Sequence, residues 1–168
     1  MGIAIYPIFV IERGAIMKKV CCAIGYQTIL ADKTDNVKRE LEREISEALS
    51  EGYRTFLTEF TEGGNLLFAR CVSEQREQHP DIFLEAVLPT PAVCEGFGRS
   101  TWEHLSQCNG IKVLCDKCRE EYPLSVIRNL TAQSSRVIVL YGEEPDHNTL
   151  FAMDYAQTME RELRIIKI

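Results

Sequence analysis

The chain has 168 residues, with 19 Lys and Arg against 25 Asp and Glu, a formal net charge of −6, and 45% apolar residues. This is the composition of one soluble globular domain, too apolar for an intrinsically disordered chain. It lacks the basic excess that displaces counterions from phosphates, so duplex nucleic acid is not an expected partner.

The longest apolar stretch, Ile3 to Ile11, is interrupted by Pro7 and closed by Glu12 and Arg13. It is too short to cross a bilayer, no basic residue precedes it, and no small-residue cleavage site clearly follows. Neither a membrane span nor a signal peptide is expected. Seven cysteines, an odd number, cannot all pair internally. With no signal segment, this predicts a cytoplasmic protein whose cysteines stay thiols. Met17-Lys18-Lys19-Val20 reads as a start just ahead of a strand. Residues 1–16 are therefore read as an N-terminal extension, whether from an alternative start, as an added stretch foreign to the domain or as an added edge strand, and 17–168 as a single domain.

Lys18 to Ile24 has strand character, and residues 25–35 read as loop. From Asn36 onward, Val37, Leu41, Ile45 and Leu49 recur every four positions among charges. This predicts an amphipathic helix with Asp35 or Asn36 as N-cap and Gly52 as C-cap. Tyr53 to Thr58 is aromatic and β-branched, hence strand. Gly63-Gly64-Asn65 opens a second helix that runs to about Gln78 and is stopped by Pro80. Ile82 to Leu88 is a strand running into Pro89-Thr90-Pro91, and 92–99 reads as loop. Ser100-x-x-Glu103 has the capping-box pattern of a short helix. Gly110 to Cys115 is a strand. Pro123 suits a first helical turn, with Leu124, Ile127, Leu130 and Thr131 as its stripe. Arg136 to Tyr141 is a strongly apolar strand. Asn148 is the expected cap of a helix with Phe151, Tyr155 and Met159 inward, and Leu163 to Ile168 is a last strand.

Strands alternating with helices imply parallel pairing through right-handed crossovers. The expected fold is α/β: a Rossmann-like, doubly wound, mainly parallel sheet of about six strands with helices on both faces. In such sheets ligands bind outside the carboxyl ends of the strands, near the switch in strand order. That rule selects the loops Gly25-Tyr26-Gln27, Glu59 to Asn65, Pro89 to Pro91, Cys115 to Lys117 and Gly142 to Thr149. Neither GxGxxG nor GxxxxGK[ST] occurs, so no standard dinucleotide or P-loop site is expected, and no cofactor is assigned.

Several short pieces recur in an order that matches a known family. They are Ile24-Gly25-Tyr26-Gln27, Thr58-Glu59, Gly63-Gly64-Asn65, His79-Pro80-Asp81, Leu88-Pro89, Arg128-Asn129, His147-Asn148-Thr149 and Tyr155-Ala156. In this order residues 18–168 resemble the SLOG superfamily, the Rossmann-like group uniting the DNA-processing protein DprA with the lonely-guy phosphoribohydrolases. The nearest branch is the small stand-alone YpsA-like proteins. The resemblance implies a nucleotide-related, phosphate-bearing ligand, with Gly25, Tyr26, Gln27, Gly63, Gly64, Asn65, Arg128, Asn148 and Thr149 at its site. The departures from the family pattern matter. Glu59 replaces a glycine, Asn65 an aspartate, and His147 and Asn148 a pair of glycines. A side chain in place of a glycine obstructs the close approach of a phosphate to the backbone. The same loops hold Asp32, Asp35, Glu59, Glu62, Glu95, Asp116, Glu143, Glu144 and Asp146 against Lys33, Arg99 and Lys117, a poor field for a polyanion.

Cys115-Asp116-Lys117-Cys118 is a CxxC. With Cys94 and Cys108 it offers four thiolates to zinc, and alone it offers a redox pair, but the spacing is irregular. The preferred reading is unpaired thiols, with no metal site. Cys21 and Cys22, adjacent on a strand, face opposite sides and are core, as is Cys71. His79 reads as a helix-end charge, His104 as surface and His147 as a solvated rim histidine. No catalytic residue is assigned. The favoured function is a sensor or binding domain for a small molecule that need not be phosphorylated. The alternatives are a degenerate scaffold for a protein partner and a nucleotide N-glycosidic hydrolase, for which Asp154 is the candidate acid. A homo-oligomer is left open.

Overall fold

A computed structural model describes residues 9–12, 15–25, 28–117 and 123–168. The chain opens with a hairpin of β1 (Phe9–Glu12) and β2 (Ala15–Lys18), antiparallel, with Phe9 opposite Lys18 and Glu12 opposite Ala15. Among the described residues the hairpin pairs with no strand of the main sheet, and Lys19 links it to the first strand of that sheet.

The main sheet contains β3 (Val20–Ile24), β4 (Thr55–Thr58), β5 (Phe83–Leu88), β6 (Gly110–Val113), β7 (Arg136–Tyr141) and β8 (Glu162–Lys167). All pair in parallel, in the spatial order β6-β5-β4-β3-β7-β8. The chain walks outward from β3 to β6, then returns to β7 on the other side of β3. Strand order therefore reverses between β3 and β7. This is the Rossmann-like α/β architecture that alternating strand and helix patterns predict.

The walk outward uses α1 (Thr34–Ser50), α2 (Gly64–Glu74) and α3 (Arg99–Ser106); α4 (Pro123–Gln133) returns, and α5 (His147–Thr158) joins β7 to β8. Right-handed crossovers in opposite directions put these two groups on opposite faces. Two cores result. One gathers Cys21, Ala23, Leu41, Ile45, Phe56, Phe68 and Leu84 beneath α1 to α3. The other gathers Cys22, Ile24, Leu57, Val87, Ile127 and Ala152 beneath α4 and α5. Cys21 and Cys22 thus do face opposite sides, both fully buried.

Val37, Leu41, Ile45 and Leu49 form the buried stripe of α1, as their spacing predicts. The helix starts earlier than expected. Its N-cap position is Lys33, with no side-chain cap, so Asp35 and Asn36 lie inside the first turn, where Asp35 favours the helix dipole. Gly52 follows the C-cap at φ 92°, the left-handed conformation that ends helices. Gly63, at φ 93°, is the N-cap of α2, again a conformation that suits glycine. Residues 75–77 and 91–96 are 3-10 turns, the latter where a loop is expected.

Two further caps differ from expectation. The Ser100–Glu103 box does not form, because α3 begins at Arg99 with Gly98 as its cap; Glu103 instead accepts from Arg99 Nε at 3.0 Å. In α5 the cap is Asp146, not Asn148, and its carboxylate accepts from the Thr149 N–H at 2.7 Å. The inner face of α5 is Thr149, Ala152 and Ala156 rather than Phe151, Tyr155 and Met159. Small residues let this helix sit close on the sheet. The Phe151 and Tyr155 rings stack 5.7 Å apart and are only half-buried.

At the amino ends of β7 and β8 lies an ion cluster. The side chain of Arg136 is 1% exposed. It donates to both Glu162 oxygens at 3.0 Å and to Glu51 at 2.6 Å, and its guanidinium lies 4.7 Å from the Tyr53 ring centre. Arg164 donates to Glu47 at 2.6 Å and pairs with Glu162. The cluster ties the end of α1 to the sheet. No helix among the described residues is long and apolar enough to cross a membrane.

Candidate functional site

Where strand order reverses, the loops that leave β3 and β7 run to opposite faces of the sheet and open a crevice between them. A groove of about 370 Å³ lies there, lined by Thr28, Ile29, Leu30, Lys33, Gly142, Glu143 and Ile168. Thr28 to Lys33 lead from β3 into α1, Gly142 and Glu143 follow β7, and Ile168 follows β8. Ile29, Leu30 and Ile168 make an apolar wall. Lys33 Nζ and Glu143 Oε1 face each other at 3.9 Å, and Glu143 is 91% exposed, so this is a solvated, weak pair. The groove offers one cation, one anion, a hydroxyl and an apolar surface.

The residues expected to bind ligand divide into groups. Gly25, Gly64 and Asn65 come together, but they bind one another. The Asn65 Oδ1 accepts from the Gly25 N–H at 2.8 Å, the Asn65 N–H donates to the Gly25 carbonyl at 3.3 Å, and Nδ2 donates to Thr61 Oγ1 at 2.6 Å. Asn65 is 1% exposed. A Cβ on Gly25 or on Gly64 would lie 2.3 Å from Leu140 Cδ1, and on Gly25 also 3.1 Å from Leu140 Cβ, so glycine suits the close packing of β3, α2 and β7. Here Asn65 latches the end of β3 to the start of α2, and Gly63 turns the chain into that helix.

Thr149 is fully buried in the first turn of α5, and its hydroxyl has no hydrogen-bond partner. The Thr90 hydroxyl, just past β5, is in the same state. Asn148 is half-buried beside Thr149. Arg128 is exposed on α4, its guanidinium 5.3 Å from the Phe151 ring centre, and is not among the residues lining the groove. Tyr26 and Gln27 lie outside the described residues. Glu59, just past β4, is buried, 4% exposed. Asp32, Asp35, Glu62, Glu95, Asp116, Glu143 and Glu144 are exposed, and Asp146 is half-buried as the α5 cap. His147 is exposed at the start of α5, and Asp154 is exposed further along it.

Sequence reasoning missed Thr28, Ile29, Leu30 and Ile168, and counted Lys33 among the loop charges without assigning it to the site. No motif marks them. The usable signal is positional: they flank the strands on either side of the reversal.

The cysteines differ sharply. Burial pushes the Cys22 and Cys71 thiols up to about 12 and Cys108 up to about 11, and raises Cys21 and Cys94 as well. These five are free thiols. Cys115 is disulfide-bonded, which corrects the expectation that it stays a thiol. Cys118 lies outside the described residues. Among the described residues no group of three or more His, Cys, Asp or Glu is placed to hold a metal.

No family model matches the chain, and no curated protein does either. A solved Pseudomonas aeruginosa protein, proposed to be an aldo-keto reductase, is similar over 95% of this chain and 76% of its own, at 12% identity and a TM-score of 0.31. That degree of likeness carries no argument about chemistry.

Proposed function

We propose that this chain is a binding or sensor domain, a divergent relative of the SLOG superfamily, that holds a neutral or zwitterionic small molecule with an apolar ring. The observation that carries the reading is the position of the groove. It sits between the loops after β3 and β7, where doubly wound sheets take their ligands. The lining chemistry selects the ligand. Ile29, Leu30 and Ile168 suit a ring, while Thr28 and the Glu143 carboxylate suit hydroxyl or amine groups. A phosphate is disfavoured, because Lys33 is already matched by Glu143 and the surrounding loops are acidic. A nucleoside fits this description better than a nucleotide does.

The scaffold reading has one observation in its favour: Gly25, Gly64 and Asn65 are engaged in packing. A thermal-shift panel of nucleosides and their phosphates, at fixed salt and ligand concentration, separates the two. Binding only to the folded state raises its stability by about 2.7 kcal/mol at a hundredfold excess over Kd. The expected result is a rise in midpoint with a nucleoside, a smaller rise with its phosphates, and loss of the rise in Thr28→Trp, which fills the groove. Midpoints unmoved by every neutral compound would leave the scaffold reading standing, and strongest binding by triphosphates would refute the ligand class.

A further inference from the structure

β8 is an outer margin of the main sheet: among the described residues it pairs with β7 alone. The Glu162 N–H donates to the Ser135 carbonyl at 3.0 Å, and the Ile168 N–H to the Tyr141 carbonyl at 2.9 Å. Backbone groups alternate in direction along a strand, so Glu162, Arg164, Ile166 and Ile168 turn theirs to β7, while Leu163, Ile165 and Lys167 turn N–H and C=O outward. Side chains alternate as well. Ile166 lies in the core beneath α1, and Leu163 packs against the core beneath α4 and α5. Glu162 and Arg164 therefore share the α1 side of the strand, and Leu163 and Ile165 the α5 side. Ile165 is 46% exposed. Arg164 uses Nε on Glu162 and Nη2 on Glu47, which leaves Nη1 for a further carboxylate.

An open strand edge is a template for another strand. We infer that this edge pairs antiparallel with β8 of a second copy of the chain, about a two-fold axis at Leu163. Such an axis stands perpendicular to the sheet and keeps every side chain on its own face, so it passes through a residue and not between two. With the axis at Leu163, Glu162 falls opposite Arg164 of the second copy, and Arg164 opposite Glu162 of the second copy. The triplet Glu162-Leu163-Arg164 is its own electrostatic complement when reversed, and this selects a second copy as the occupant. The two Leu163 residues exchange two N–H···O=C bonds at the centre. The charged pairs on either side are of the class without such bonds, with Cα atoms about 4.5 Å apart and side chains closer. On the α5 side, Leu163 and Ile165 of both copies join into one apolar strip that covers Ile165. Other axes lack the match: one at Arg164 sets like charge opposite like, and one at Ile165 sets Arg164 opposite Ile166. At the other margin, β6 holds Lys112 as its one charge, so no axis within that strand pairs opposite charges.

Sedimentation of the full chain over a concentration series reads the association. The expected result is a two-chain species whose share rises with concentration and falls with added salt, because Glu162 and Arg164 are part-exposed. Ile165→Lys leaves the ladder to β7 and the charge cluster in place and sets Lys opposite Arg161 of the second copy. It is expected to weaken association by about tenfold while urea unfolding stays near wild type. Single cysteines under mild oxidation read the register on a non-reducing gel, with wild type alongside as the background from native cysteines. Leu163→Cys is expected to link two chains. Ile165→Cys is not, because its counterpart lies about 14 Å away when the axis is at Leu163. The proposal is overturned if the chain sediments as a single copy at every concentration. It is equally overturned if Ile165→Lys associates as wild type does, or if cross-linking at 165 exceeds that at 163.

Discussion

At the amino ends of β7 and β8, Arg136 and Arg164 share Glu51, Glu162 and Glu47, and the Tyr53 ring covers the buried guanidinium. At the carboxyl ends of the same sheet the buried polar groups are mostly neutral, and the hydroxyls of Thr90 and Thr149 have no partner. One end matches charge with charge and locks α1 to the strands. The other shows no network of that kind among the described residues, whereas buried hydroxyls without partners occur at both ends, Thr131 and Ser134 just before β7 as well as Thr90 and Thr149. The contrast is between a charged network and a largely neutral end, where Asn65 holds β3 to α2 through hydrogen bonds.

Arg136→Ala gives the largest effect that the contrast demands. It removes a buried cation and strips Glu51 and Glu162 of their partner. Breaking a fully buried pair costs about 3–5 kcal/mol, and since both carboxylates are half-exposed a loss of about 2–4 kcal/mol is expected. Urea unfolding measures it, and a cost under about 0.5 kcal/mol would show the cluster to be idle.

Next comes the latch. Asn65→Ala orphans the Gly25 N–H and removes the bond to Thr61, for an expected loss of about 1–3 kcal/mol. Asn65→Asp keeps the acceptor for Gly25 and lets the Thr61 hydroxyl donate in its turn, so most of the stability should remain. Equal losses in the two variants would mean that these bonds do not set the cost.

The smallest effect is expected at Thr149→Val. The hydroxyl has no partner to lose, so stability should stay within about 0.5 kcal/mol or rise slightly. A loss above about 1.5 kcal/mol would show Thr149 holding the fold as Asn65 does.

The strand ladder was legible because each strand is a short apolar run between helix signals. Arg136 to Tyr141 is bounded in the structure where its composition bounds it. The stripe of α1 was equally plain, since Val37, Leu41, Ile45 and Leu49 are large and regular. The inner face of α5 was not. Apolar bulk points to Phe151 and Tyr155, whereas close packing on the sheet favours Thr149, Ala152 and Ala156. Caps at Lys33 and Gly98 escaped because neither residue supplies a side-chain cap to look for. Gly25 and Gly64 also lie close to Leu140, a contact that only the packing of β7 reveals. The groove was half-visible: the loops after β3 and β7 were selected by topology, but Thr28 to Lys33 and Ile168 carry no motif.

Lys19, the lone residue between β2 and β3, sets how far the hairpin can travel. One residue spans at most about 3.6 Å. From β3 the nearer sheet margin, β8, is two strands away, about 10 Å, and β6 is three strands away. On so short a tether the end of β2 stays beside the start of β3 and does not reach either margin. Widening the sheet from this end therefore calls for a longer tether, and inserting flexible residues after Lys18 is the change that would provide it.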